Sequence, residues 1–271
     1  SVKKRALFLA ELCEGTKTLA IGGTHGKTTT TAFLTHMCAY ADLPFTSLMG
    51  GFFSNDSSNL IRTGDTYMIV EADEYDRSFL NLYPTIAGVT SIDADHLDIY
   101  QTPQSFQEAF SIFASQVSQK LIVAHGLPFD GLTYGVEVAA DYRIEKVQKI
   151  DDGYLFNLFT PNEEFVGVKL NQLGVHNLSN MLCALAIVDQ VGVSPKKALS
   201  SLETFPGVYR RMNVLRWKNA WIIDDYAHHP TEINTVFETL NSFYPEQKNC
   251  VVFQPHLFSR TQDFYTEFIE V

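Results

Sequence analysis

Gly23-Thr24-His25-Gly26-Lys27-Thr28-Thr29 is the stretch on which the fold turns. A β-prone run, Thr18 to Ile21, delivers the chain to this turn, and an apolar helical pattern over about Thr29 to Tyr40 leaves it. The N–H groups at a helix start favour anions. Gly23 and Gly26 let the backbone approach phosphate oxygens closely. Lys27 adds a positive charge for the β and γ phosphates of a nucleotide, and Thr28 offers a hydroxyl to Mg²⁺. Thr24, His25 and Thr29 complete the loop. Position 21 is Ile, where the general phosphate-loop pattern has its first glycine, so the loop here is shorter.

Outward from the loop, short apolar runs alternate with helical periods, which reads as α/β. Residues 2–13 form an amphipathic pattern with Ala6, Leu9, Ala10 and Cys13 on one side. Tyr67 to Val70 and Ile86 to Ile92 are further strand runs. Phe106, Phe110, Phe113 and Val117 recur at helical spacing, and this stripe reads as core. Strands are expected at 121–124 and within 142–170, with turns at 151–153 and 161–162. A helix over 177–191 turns Met181, Leu182, Leu185 and Val188 inward. A boundary is expected near Phe205-Pro206-Gly207, after a helix over Pro195 to Leu202. Beyond it come a strand at Trp221 to Ile223, a helix over Thr231 to Phe243, a strand at Val251 to Phe253 and a last helix. That is a narrow set for an independent α/β unit, so the chain is expected to end inside a domain.

The net charge of −11 argues against a nucleic-acid binder, since phosphate backbones demand a basic face. The four cysteines, Cys13, Cys38, Cys183 and Cys250, are far apart, which fits reduced thiols better than a disulfide framework or a zinc site. No apolar run approaches membrane-spanning length, and the expected compartment is the cytoplasm.

Acids and imidazoles cluster where strand runs end. Glu71-Ala72-Asp73-Glu74 follows one strand, and Glu71, first off it, is the candidate for Mg²⁺. Glu74 reads either as part of a solvated loop or as a site residue. Asp93-Ala94-Asp95-His96-Leu97-Asp98 follows another strand, and a neutral His96 among carboxylates suits a metal. Asn177 and Asn180, beside His176, share a helix face. Spacing alone favours a helix cap there, although an amide also suits adenine. Past the boundary lie Arg210-Arg211, Asp224-Asp225-Tyr226-Ala227-His228-His229-Pro230, and Gln254-Pro255-His256 with Arg260. Arginines at such ends clamp phosphate or carboxylate in two-point fashion.

In this order the segments closely resemble the Mur ligases of bacterial cell-wall synthesis. The carrying strings are Gly-Thr-His-Gly-Lys-Thr-Thr-Thr-Thr (23–31), Glu-Ala-Asp-Glu-Tyr-Asp-Arg-Ser-Phe-Leu (71–80), Asp-Ala-Asp-His-Leu-Asp (93–98), His-Asn-Leu-Ser-Asn (176–180), Arg-Arg (210–211), Asp-Asp-Tyr-Ala-His-His-Pro-Thr-Glu (224–232) and Phe-Gln-Pro-His-Leu-Phe-Ser-Arg-Thr (253–261). The best match is the branch that joins L-alanine to UDP-N-acetylmuramate with ATP. The resemblance implies a phosphate-loop central domain over 1–205, with a mostly parallel sheet flanked by helices. Part of a Rossmann-like C-terminal domain follows over 206–271, and the UDP-binding domain is absent. Alone, such a chain is expected to be nearly inactive as a ligase.

The resemblance also implies roles. Lys27 and the loop amides hold the β and γ phosphates. Thr28 and Glu71 hold one Mg²⁺, and His96 with Glu71 a second. Asn177 and Asn180 read adenine, Arg211 reaches the γ phosphate, and Asp225 the ribose. His228, His229, His256 and Arg260, with Glu74, face the amino acid and the acyl phosphate. Lys27, His96, Arg211 and His229 are the implied catalytic groups. At position 257 this branch often has Arg, and here the residue is Leu257. Sibling ligases resemble one another in a carboxylated lysine after the metal histidine, but no Lys occurs between His96 and Lys120, and Ser111 lies near that place. A recycling ligase that attaches a whole tripeptide to the same sugar is the nearest alternative. A nucleotide-binding module without ligase activity is another, and a folate-adding ligase a remote third.

Overall fold

The computed structural model describes residues 2–93, 97–100, 102–218, 220–256 and 258–271. In chain order, α1 is Arg5–Cys13, β1 Lys17–Gly22, α2 Lys27–Tyr40, β2 Phe45–Leu48, β3 Leu60–Arg62 and β4 Tyr67–Ala72. A 3₁₀ turn over Tyr75–Asn81 leads to β5, Ile86–Val89. Then follow α3 Leu97–Tyr100, α4 Pro103–Ser115, β6 Lys120–Ala124, β7 Leu132–Val136, β8 Tyr142–Ile150, β9 Gly153–Phe159 and β10 Glu164–Leu170. Helices α5, Val175–Gln190, and α6, Pro195–Ser200, complete this part. The remainder carries β11 Asn213–Trp217, β12 Ala220–Asp224, α7 Pro230–Phe243, α8 Phe258–Asp263 and α9 Tyr265–Glu270.

Strands β1 to β10 form one ten-stranded sheet in the order β10-β9-β8-β7-β6-β5-β1-β4-β2-β3. From β2 across to β8 all neighbours are parallel, and only β3, β9 and β10 pair antiparallel. The central strand β1 is buried on both faces, as a parallel sheet between helices requires. Its side chains alternate between two cores: Leu19 and Ile21 pack with α2 and α5, and Ala20 packs with α4 and the 3₁₀ turn. The phenylalanine stripe is core, as expected: Phe106, Phe110 and Phe113 are at most 1% exposed, and Phe113 stacks on Phe79. Met181, Leu182, Leu185 and Val188 also point inward. Cys13, Cys38 and Cys183 are buried free thiols, and Cys250 is an exposed one.

Several expectations are corrected. Val251 to Phe253 has no strand pairing among the described residues and is exposed, because no neighbouring strand satisfies its backbone there. Strand β5 stops at Val89 rather than reaching Ile92, since Thr90 and Ser91 are turned onto the glycine-rich loop. Strands β2, β3, β7 and β11 also form, although their short or mixed sequences carry no clear period.

Candidate active site

The C-terminal ends of β1, β4 and β5 lie side by side in the sheet, so the residues just past them share one edge. From β1 the chain enters the glycine-rich loop. Gly26 caps α2 with φ +83, and a Cβ there would collide with Asn180 Oδ1. Gly23 has φ +134, and a Cβ there would strike Thr90 Oγ1. Both positions thus need glycine for backbone angle and for space. The residues after β5 lock the loop. Thr24 N–H donates to Ser91 O at 3.1 Å, and His25 N–H donates to Ser91 Oγ at 2.9 Å. Thr90 Oγ1 donates to His25 O at 2.5 Å, and Thr24 Oγ1 donates to Asp93 O at 2.8 Å. Thr90 and Ser91 are loop-bracing positions that their sequence context, an ordinary strand end, does not mark.

Lys27 Nζ donates to Gly23 O at 2.6 Å and to both carboxylate oxygens of Glu74, at 2.8 and 2.6 Å. Glu74 is 2% exposed, so the solvated-loop reading does not hold for it. Burial pushes its carboxyl up from the ordinary value, against the pull of the Lys27 ammonium. Glu71, at the end of β4, accepts from Thr28 Oγ1 at 3.0 Å and from Gly50 N–H at 2.5 Å. Burial raises this carboxyl too, opposed by those two donors and by the Lys27 and Arg211 charges. A threonine hydroxyl beside a half-buried carboxylate is an all-oxygen donor pair, which fits a hard cation such as Mg²⁺. Among the described residues no group of three His, Cys, Asp or Glu side chains converges as a metal cage. His96 and Leu257 lie outside the described residues.

Helix α5 begins at the N-cap Gly174, so neither asparagine is the cap that spacing favours. Asn177 Nδ2 donates to Leu173 O at 2.7 Å, and Asn180 Nδ2 donates to Asn177 Oδ1 at 3.2 Å. Asn177 is thereby a buried strut that fixes the Asn180 amide against Gly26. Thr30 Oγ1 donates to Asn180 Oδ1 at 3.3 Å. Ser111 sits on α4, where its hydroxyl bonds the Gln107 carbonyl of its own helix.

The facing wall comes from the chain after Gly207. The Arg211 and Arg210 guanidinium groups lie 5.5 and 5.2 Å from the Tyr226 ring centroid, and Arg210 also pairs with Asp224. Asp225 is occupied locally: its carboxylate accepts from Met212 N–H and Ala227 N–H, each at 2.7 Å. His229 is the N-cap of α7. His228 packs near the rings of Tyr226 and His256, and burial pushes its imidazole down from the ordinary value. Glu232, in the first turn of α7, faces His25 Nδ1 at 3.3 Å and accepts from His228 N–H at 3.0 Å.

Together these walls enclose a cleft of about 690 Å³. Of the residues predicted from sequence, Thr24 to Thr29, Glu74, Asn180, Arg211, Asp225, His228, His229, His256 and Arg260 line it. Gly23, Glu71 and Asn177 stand behind that lining and hold members of it. Thr90, Ser91, Tyr226 and Glu232 line it as well.

A UDP-N-acetylmuramate–L-alanine ligase of Flavobacterium psychrophilum is 44% identical over 270 residues, covering 98% of this chain and 60% of its own length. A Coxiella burnetii protein of the same name is 37% identical over 287 residues, covering 99% of this chain and 62% of its own. The chain therefore spans about 60% of the length of the curated relatives it matches. The solved UDP-N-acetylmuramate–alanine ligase of Thermotoga maritima superposes with a TM-score of 0.81 at 27% identity, covering 95% of this chain and 61% of that one. A murein peptide ligase from Psychrobacter arcticus superposes at 0.69 with 25% identity, covering 93% and 62%. The Mur ligase middle domain matches residues 21–188, which takes in the loop, both acidic strand ends and the paired asparagines, and the Mur ligase glutamate ligase domain matches 210–271, which carries the facing wall. The chain belongs to the Mur ligase family.

Proposed function

We propose that this chain is the nucleotide-binding body of an ATP-dependent ligase that joins L-alanine to the lactyl carboxylate of UDP-N-acetylmuramate in peptidoglycan precursor synthesis. The observation that carries it is the cleft itself. Lys27 and the α2 N-terminus form its floor, and Arg211, His228, His229, His256 and Arg260 face them. The proposed division is a central ATP-binding domain over 1–205 and a C-terminal part over 206–271. Among the described residues no helix is long and apolar enough to cross a membrane, and the proposed compartment is the cytoplasm. Nucleic acid has no part in the reading, given the net charge of −11.

In the proposed reaction a carboxylate oxygen attacks the γ phosphorus and the bridging bond to ADP breaks, which gives an acyl phosphate. The amine then attacks the acyl carbon, phosphate leaves with the bonding electron pair, and the amine gives up a proton. Lys27 and the loop amides would take the β and γ phosphates, and Asn180, braced by Asn177, the adenine. Arg211 would reach the γ phosphate, and Asp225 the ribose. His228, His229, His256 and Arg260, with Glu74, would face the amine side. Thr28 and Glu71 would hold Mg²⁺, which supplies charge neutralisation for the transferring group; His96 is the proposed ligand of a second ion. Positioning and charge neutralisation carry most of the catalysis in phosphoryl transfer.

Lys27→Ala should abolish calorimetrically detectable Mg·ATP binding while leaving the circular dichroism spectrum unchanged, and an unchanged affinity would overturn the phosphate-loop assignment. ADP release with UDP-N-acetylmuramate and L-alanine, compared with a tripeptide as the amine, decides between the alanine-adding and recycling readings.

A further inference from the structure

Helix α7 opens with His229 as N-cap and Glu232 three residues on, the spacing of a capping box. A capping glutamate needs one carboxylate oxygen. Here Oε2 accepts at 3.0 Å from the N–H of His228, one residue before the N-cap, and lies 3.3 Å from His228 Nδ1. The other oxygen, Oε1, leaves its own segment and reaches His25 Nδ1 at 3.3 Å, in the middle of the glycine-rich loop. The opposite edge of the same imidazole, Nε2, stands 3.6 Å from Asp93 Oδ2. His25 thus lies between a carboxylate of the central sheet's edge and one of the C-terminal segment.

The surroundings make this link count. Burial works to raise the Glu232 carboxyl, but the His25 hydrogen bond, the His228 charge and the His228 N–H outweigh it and hold the group well below its ordinary value. Of these partners His25 is the one outside the C-terminal segment. Beside it the His229 ring lies 5.9 Å from that of His25, and the remaining contacts between the two parts fall elsewhere. Phe52 stacks on Tyr209, Asn213 bonds Ser54, and Lys149 and Tyr154 meet Ser242 and Phe243. Of the ion pairs between described residues, Glu232 with His25 joins the loop to the facing wall across the cleft mouth.

We propose that Glu232 is a positioning residue whose carboxylate fastens the C-terminal segment to the phosphate loop through His25, so that one side chain sets the gap between the nucleotide floor and the histidine wall. This rests on the ligase reading of the cleft and deepens it, but the fastening itself is tested without nucleotide.

The test uses dipolar distance measurements on the full chain. One spin label goes on the exposed native Cys250 and the other on Glu108→Cys, an exposed position of α4, while the three buried cysteines stay unlabelled. The parent should give one narrow distance distribution. Glu232→Ala should broaden it, and His25→Ala should broaden it as much, with the double variant no broader than either. His25 lies outside α7 and leaves the cap intact, so the result stands even where Glu232→Ala frays the helix. An unchanged distribution in His25→Ala would reduce Glu232 to a helix cap and overturn the proposal. Loss of the ATP reading through Lys27→Ala calorimetry would leave this result standing, so the two failures are separable.

Discussion

In the sheet and the helices against it, Leu19, Ile21, Phe33, Phe45, Leu158 and Leu185 are wholly buried. After Gly207, the hairpin β11–β12 leaves Leu215, Trp217, Trp221 and Ile222 between 43% and 58% exposed, and Val252 and Phe258 are almost bare. The buried residues of α7 are Pro230 and Thr239. Both regions carry site residues, yet one holds them by a close-packed core and the other by polar bridges and stacked rings. A two-stranded ribbon is marginal by itself. The loop that floors the cleft is therefore held by the packed sheet, and the facing wall takes its position from what it touches.

The largest expected effect is in amide exchange. Amides of β1, sandwiched between β4 and β5, should open only with global unfolding, whereas those of β11 should open locally. Exchange over Val214 to Trp217 should exceed that over Leu19 to Ile21 by at least about a thousandfold, which corresponds to roughly 4 kcal/mol. Equal protection would show one cooperative body and break the contrast.

Truncation sharpens it. Phe113 stacks on Phe79 beneath Gly22, the last residue of β1. Phe113→Ala should cost about 3–5 kcal/mol in denaturant unfolding. Leu215→Ala, at a half-exposed position of β11, should cost less than about 0.5 kcal/mol. Gly26→Ala falls between the two, at about 1–3 kcal/mol, because φ is +83 and the methyl would displace Asn180. It should also weaken Mg·ATP binding in calorimetry. An affinity unchanged beside a lowered unfolding midpoint would separate the asparagine from the nucleotide site.

What the sequence makes legible follows the same divide. The loop, the strand ends at Glu71 and the inward faces of α4 and α5 are local patterns, fixed by period and by glycine, and the structure places them as read. Asn177 and Asn180 are legible as a pair, but their job depends on where Gly26 passes α5, a contact between residues 150 or so apart. Thr90 and Ser91 act through hydroxyls that reach back across the sheet edge, for which a strand-end Thr-Ser gives no signal. Val251 to Phe253 has strand composition without a neighbour to pair with, because β-propensity describes fit to a sheet rather than a sheet's presence.

The smallest effect is in acid. Glu232 is held below its ordinary value in the folded chain, so its contribution is fully present above the unfolded glutamate value, about 4.3. It is lost as pH falls below that value toward the folded one. The groups facing it are His25, His228 and, at longer range, His176, with Arg211 and Arg260 in the same cleft lining, and none of them loses positive charge as pH falls. Protonating Glu232 therefore removes the only charge that changes in this direction at the bridge, apart from Asp93 on the far edge of His25. A carboxylate at a helix N-terminus is worth on the order of 1 kcal/mol, so the expected result is a loosened wall with the sheet still folded. The Cys250 to Glu108→Cys distance distribution should broaden progressively in the parent as pH falls from about 4.3 toward the lower folded-state value. In Glu232→Gln, which keeps an acceptor for His228 N–H but cannot ionise, it should already be partly broadened and should change little across that window. Parallel broadening in both would assign the acid response to other carboxylates and leave the bridge without a measurable share in seating the wall.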